Sequence, residues 1–182
     1  GEDAVWWSML ALPAIYGALT SLPVAAIARD HFGKAAGVIA AWLIAFMPAH
    51  VTHSTWGLAD HDSFVMLFIA IGFMFYLRAV KYAGSERLVR TTSIHPLDML
   101  RAMGAVAQER QYAMANAVLA GVAFGAASLG WKGFVVGPAI LFLAYAAQVA
   151  LNMFRRRDST ILSTLFLTML LTNLLIALPF YA

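Results

Sequence analysis

Six apolar runs divide the chain, near residues 5–28, 35–52, 63–80, 112–130, 133–153 and 160–182. Each is about 18–24 residues long, enough to cross a hydrocarbon core of ~30 Å at ~1.5 Å per helical residue. Lipid offers backbone N–H and C=O groups no partner, so the runs are expected as helices. That makes the chain an all-α, polytopic transmembrane bundle of about six spans, a single domain over 1–182. A soluble alternative fails on composition: 62% of the residues are apolar and 12% charged, about half the charged share of a soluble domain. The surplus apolar surface needs lipid as its solvent. Pro13, Pro23, Pro48 and Pro138 lie inside or at the ends of runs, where spanning helices tolerate kinks, and the run 35–52 has room to end early at Pro48.

Basic residues set the expected orientation. Arg29 and Lys34 separate the first two runs; Arg78, Lys81, Arg87, Arg90, Arg101 and Arg110 surround the third connection; Arg155, Arg156 and Arg157 precede the last run. All of these fall on one side of a six-span chain, and Lys132 is alone on the other. The positive-inside rule makes the basic side cytoplasmic. Glu2, Asp3, Asp60 and Asp62 then face out with Lys132, as do both chain ends and the loop 50–63. The net charge of +3 reads as basic cytoplasmic loops of an integral membrane protein, and nucleic acid is not an expected partner. The segment 82–111 carries Ile94-His95-Pro96-Leu97-Asp98, and Pro96 ahead of Leu97, Leu100 and Met103 predicts a short amphipathic helix at the cytoplasmic interface. It serves either as a plain basic connection or as a lipid-headgroup or regulatory site. Absence of cysteine removes thiol chemistry. Because the chain opens at Gly1 without a basic n-region, it reads as a piece of a longer protein without a cleavable signal.

The chemistry concentrates in the outer loop. Between His50 and Phe64 lie His53, Gly57, Asp60, His61 and Asp62, and no other outward segment combines two carboxylates with several imidazoles. Hard divalent cations prefer oxygen ligands, and two aspartates at i, i+2 on a turn reach one ion together. Gly57 permits a tight bend ahead of the pair. Two unpaired carboxylates at a membrane surface are costly, so a cation or a basic group is expected beside them. Other assignments compete. Asp60 or Asp62 can cap the helix expected from Ser63. His50 and His53, at i, i+3, can share a face and bind zinc with Asp60, or serve as hydrogen-bonded interface residues. Trp56 fits an interfacial belt.

The order of these features resembles the catalytic subunit of oligosaccharyltransferases of the archaeal and bacterial type. The resemblance starts with Pro13 and Leu19-Thr20, the turn from Arg29 to Lys34, Ala35-Ala36-Gly37 with Ala40-Ala41, and Pro48. The loop follows as His53-Ser54-Thr55-Trp56-Gly57-Leu58-Ala59-Asp60-His61-Asp62, against a family pattern Arg-Ser-x-x-Gly-x-x-Asp-x-(Asp/Glu/His). Later, Trp131-Lys132-Gly133-Phe134 resembles the family's Trp-x-Gly-aromatic turn. The family's usual arginine is His53 here, charged only in part near neutral pH.

The resemblance implies a GT-C-like membrane glycosyltransferase core. It implies transfer from a lipid-linked oligosaccharide donor, on a dolichyl or polyprenyl phosphate or diphosphate, to the asparagine of Asn-x-Ser/Thr in an acceptor polypeptide. It also implies Mn²⁺ or Mg²⁺ held by Asp60 and Asp62 as catalytic residues, with His53 and His61 auxiliary, outside the cell membrane of an archaeon or bacterium. The family's first outer acidic motif, its later outer-loop glutamate and its Trp-Trp-Asp motif have no match; Trp6-Trp7 is followed by Ser8. By that resemblance the chain alone is catalytically incomplete. Two other readings stay open. Another polyprenyl-phosphate-sugar-dependent glycosyltransferase would use a similar outer acidic loop. A transporter or channel would place ionisable groups within the spans, where chiefly Asn116, Gln148, Asn152 and Asn173 are found.

Overall fold

The computed structural model describes residues 2–57, 60–84 and 96–181, apart from the side chains of residues 2, 4, 96–100, 102 and 103. Among the described residues eight α-helices follow one another: α1 (Glu2–Phe32), α2 (Lys34–Phe46), α3 (Pro48–His53), α4 (Asp62–Ala83), α5 (Pro96–Glu109), α6 (Gln111–Ser128), α7 (Val136–Phe154) and α8 (Thr160–Tyr181). A 3₁₀ turn, Lys132–Val135, leads into α7, and no strand occurs among the described residues. Arg87, Arg90, His95, Leu58 and Ala59 lie outside the described residues.

Among the described residues four helical stretches are long and apolar enough to cross a membrane: Val5–Phe32, Asp62–Ala83, Lys132–Phe154 and Thr160–Tyr181. The expected run 35–52 is instead two helices. Pro48 has no N–H to donate and disfavours the helical conformation at the residue before it. Met47 is accordingly extended (φ −66°, ψ 117°), ending α2 after 13 residues and restarting the chain as α3. Pro13 and Pro23, by contrast, stay inside α1, which runs unbroken for 31 residues.

At the centre stands α6, packed between α4 and α8, while α1 lies against α2 and α4. It can be central because it is built of small residues. Ala113, Ala117, Ala120, Gly121, Ala123, Gly125 and Ala127 are all buried, the composition that lets helix backbones approach in the absence of a hydrophobic drive between them. A Cβ on Gly121 would lie 2.5 Å from the Met169 carbonyl oxygen of α8, and one on Gly72 of α4 would lie 2.7 Å from the Phe124 ring. Phe124, fully buried, fills the space so vacated and meets Phe73 edge-on at 5.7 Å.

The core stacks in three levels along the bundle. Val65, Ala127, Phe134 and Ala177 form the level beside the start of α4. Tyr76, Phe124, Leu141, Phe166 and Met169 fill the middle, and Ala79, Ala83, Ala113, Ala117 and Leu165 close the far level. Large apolar side chains such as Trp42, Leu43, Phe142, Leu143 and Leu175 point outward, as lipid-facing residues should. At the far end Asp30 of α1 meets the Arg78 guanidinium of α4 at 2.6 Å, and the Lys81 ammonium donates to the Asp30 carbonyl. Basic residues at helix ends therefore gather opposite the carboxylate loop. Both described ends of the chain lie on the loop's side. Gly57 N–H donates to the Leu10 carbonyl at 3.2 Å, and the Tyr181 hydroxyl donates to the Ser128 carbonyl at 2.6 Å.

The amphipathic segment predicted from Pro96 is the helix α5, which packs on α6 and α8 with Val106 buried. Its expected apolar face of Leu97, Leu100 and Met103 falls on side chains outside the described set.

Candidate functional site

Three short pieces of backbone build the site. The first is α3, which the break at Met47 directs across α1. His50, buried on α3, places Nε2 3.0 Å from the Gly17 carbonyl oxygen of α1, and Ser54 Oγ donates to the His50 carbonyl at 2.7 Å. This seat depends on Gly17, where a Cβ would lie 2.3 Å from Ser54 Cβ. The second piece is the turn at Gly57, whose φ of +89° lies in the region that favours glycine. The third is the start of α4, where Asp62 is the first helical residue.

These pieces bring His53, Asp60 and Asp62 together. His53 Nδ1 lies 3.0 Å from Asp62 Oδ2 and 3.5 Å from Asp60 Oδ2. His61 flanks them, with Nδ1 3.2 Å from Asp60 Oδ1 and Nε2 3.5 Å from Asp62 Oδ1. One ligand atom each from His53, Asp60 and Asp62 fall within 4.8 Å of one another. Both carboxylates thus have the basic neighbours that a membrane-surface position demands. Incomplete hydration raises the Asp60 pKa, but the His53 hydrogen bond, backbone N–H groups of Asp62 and His61 and the nearby His61 charge outweigh it. Asp60 therefore titrates below the ordinary aspartate value.

The capping alternative divides between the two aspartates. Asp60, just ahead of α4, faces the cluster, and the backbone N–H groups of His61 and Asp62 help hold its pKa down. Asp62, in the first turn of α4, opposes the positive end of the helix dipole. His61, at the cap position itself, makes no side-chain capping bond. The zinc alternative through His50 is not formed, since His50 turns away to Gly17 while His53 turns to the carboxylates.

Beneath the cluster opens a cavity of about 420 Å³. His53, Asp62 and Trp131 lie at its polar part, and Ile44, Met47 and Ile69 belong to its apolar lining. Trp131 stands 6.4 Å, centroid to centroid, from the His61 ring, which joins the Trp-x-Gly-aromatic turn to the acidic loop. Ser63, 2% exposed, lines the same cavity, and its Oγ has no hydrogen-bond partner among the described residues. Sequence reasoning passed over Ser63 except as a helix start, and over the Asp30–Arg78 pair altogether. A hydroxyl beside a carboxylate motif is the one local signal that pointed to Ser63.

Fold and site together define a polytopic helical membrane protein whose acidic loop gathers His53, Asp60 and Asp62 at the mouth of an apolar cavity. The chain belongs to the oligosaccharyl transferase STT3 family, whose N-terminal region model matches residues 7–182. It is 33% identical over 173 residues to dolichyl-phosphooligosaccharide-protein glycotransferase 3 of Archaeoglobus fulgidus, a match covering 93% of this chain and 18% of that relative's length. No solved structure matches it.

Proposed function

We propose that the chain is part of the membrane domain of an oligosaccharyltransferase, which transfers glycan from a lipid-linked donor to the asparagine of Asn-x-Ser/Thr. The observation that carries this reading is the meeting of His53, Asp60 and Asp62 over an apolar cavity in a chain of this family. Such a donor joins an apolar polyprenyl or dolichyl tail to an anionic phosphate head. An apolar cavity with a cation-holding mouth complements both parts.

Asp60 and Asp62 are the metal ligands in this proposal, and the donor set fits a divalent ion: carboxylate oxygens from two aspartates with the His53 imidazole in reach. A mixed oxygen and nitrogen set accommodates Mn²⁺ more readily than Mg²⁺, which favours oxygen and water. Such an ion would supply charge neutralisation at the phosphate leaving group. His61 holds the outer oxygens of both aspartates and so fixes how the carboxylates face the reacting groups. His53 takes the place of the family's usual arginine; it would bind the ion as a neutral imidazole and would add positive charge only when protonated, without the ion. Trp131 closes one side of the cavity.

The same reading has six crossings, the four long helical stretches plus α6 and the broken pair α2–α3. It places the carboxylate end outside the cell and the basic end in the cytoplasm. Asp60→Asn and Asp62→Asn in the full-length protein test the site, with glycopeptide formation followed against added Mn²⁺ or Mg²⁺. Loss of a ligand removes several kcal/mol of transition-state stabilisation, so each variant is expected to fall by about 100-fold or more, partly recovered by excess metal. Asparagine preserves a helix cap, whose full loss costs only about 1 kcal/mol of stability. Near-wild-type transfer in both variants would remove the metal assignment.

A further inference from the structure

At the end of the bundle away from the carboxylates, α4, α7 and α8 separate around a cleft of about 630 Å³. One wall is apolar, with Val80 and Ala83 from α4 and Ile161, Leu162 and Leu165 from α8. The other is polar, with Gln148 and Asn152 from α7 and Arg157 and Asp158 from the turn into α8.

Most of that polar surface is already committed. Asp158 Oδ1 accepts from the Thr160 N–H at 2.9 Å and from Thr160 Oγ1 at 2.7 Å, which caps α8. Gln148 donates to Asn152 Oδ1 at 3.0 Å, and Asn152 donates on to Ser159 Oγ at 3.1 Å. Arg157 differs: its guanidinium has no ion pair or hydrogen bond among the described residues, and the same holds for Arg155 and Arg156. The backbone fixes all three. Arg157 N–H donates to the Asn152 carbonyl at 2.8 Å and Arg156 N–H to the Met153 carbonyl at 3.1 Å, the double closure that ends a helix on a left-handed residue. That residue is Arg156, at φ +50°, where glycine is usual.

We propose that this cleft binds an anionic phospholipid of the bilayer, its phosphate on Arg157 with Arg155 and Arg156 adding charge, and an acyl chain along the Val80 to Leu165 wall. Charge complementarity selects an anion, because among the described residues of the lining the one guanidinium, Arg157, is unpaired, the one carboxylate, Asp158, is occupied by Thr160, and Arg155 and Arg156 precede Arg157 in the same exposed turn. The apolar wall selects a lipid over free phosphate, since a small anion would leave that wall unused. The site is separate from the acidic loop and does not depend on the transfer reaction.

Native mass spectrometry of the full-length protein, extracted from nanodiscs of equal dioleoylphosphatidylglycerol and dioleoylphosphatidylcholine, reads the site directly. The wild type should retain phosphatidylglycerol in preference to phosphatidylcholine. Arg157→Gln should reduce that preference by about fivefold, the worth of one basic side chain at an anionic surface. Leu162→Trp, which fills the apolar side and leaves every charge in place, should lose the bound lipid of either kind, so the test survives if the arginine variant misfolds. Equal retention of the two lipids, no lipid retained by the wild type, or an unchanged preference in Arg157→Gln would overturn the proposal. So would displacement of phosphatidylglycerol by millimolar inorganic phosphate, which would mark a small-anion site.

Discussion

Replacing Gly17 by alanine would put a Cβ 2.3 Å from Ser54 Cβ and 2.6 Å from Ser54 Oγ. Ordinary carbon contacts lie at about 3.5–4.0 Å, so α3 would have to retreat from α1 by roughly 1 Å or more. Two contacts move with it. The 3.0 Å bond from His50 to the Gly17 carbonyl stretches, and His53, one helical turn further on, withdraws from Asp62, which it meets at 3.0 Å. Overpacking of this kind costs about 1–3 kcal/mol of stability, and a misplacement near 1 Å in a reacting constellation costs about 100-fold in rate. Gly17→Ala in the full-length protein is therefore expected to lower both the thermal midpoint in detergent and the yield of glycopeptide. A second change identifies the cause. Ser54→Gly removes both clashing atoms and should restore much of the rate in the Gly17→Ala background, although it gives up the Ser54 bond to His50. Ser54→Ala keeps the Cβ and should not. Wild-type transfer by Gly17→Ala, or equal rescue by the two Ser54 changes, would refute the idea that this helix contact positions His53.

Two other outcomes follow from the ends of the bundle. Arg78→Ala removes the 2.6 Å partner of the half-buried Asp30 carboxylate, which keeps Arg29 at 3.2 Å, so the cost is about 1 kcal/mol read as a lower thermal midpoint; adding Asp30→Asn should recover part of it, and an unchanged midpoint would show the pair to be idle. Single cysteines at Thr55 and Arg156 should be labelled by an impermeant maleimide in intact cells only at position 55, and the reverse result would invert the proposed orientation.

Hydropathy encodes how long a helix must be in lipid, and so the positions of α1, α4, α7 and α8 were readable to within a few residues. Pro48 was readable as a break for the same local reason, the missing N–H. Charge made the two ends of the bundle readable, since basic residues at helix ends gather on one side. What stayed hidden is pairing across the chain. His50 on the Gly17 carbonyl, Asp30 on Arg78, and Trp131 beside His61 join positions 33, 48 and 70 residues apart. Neither period nor spacing carries that information. The Asp60 and Asp62 pair stood out through its i, i+2 spacing, yet the sequence left open whether each caps or faces the cluster. The answer lay in the chain's path. Asp60 and Asp62 both come within reach of His53, 3.5 Å and 3.0 Å from its Nδ1, a meeting visible only once the turn is drawn.

The site ultimately rests on that single imino acid at position 48. An uninterrupted helix over residues 34–53 would carry His50 and His53 straight along the axis of α2, a helix whose neighbour is α1. Pro48 ends it at Met47, whose extended backbone sends α3 off in a new direction. On the new course His50 reaches back to α1 and is buried there, and this contact clamps the short helix. His53, at its final residue, is then left facing the start of α4, 56% exposed and between two carboxylates. The redirected backbone also opens the space below, because Ile44 and Met47 on one side of the break line the cavity with Ile69 of α4. One residue without an N–H thus shapes both parts of the site that the proposed donor would use: the polar mouth, by aiming His53, and the apolar floor, by ending α2 short.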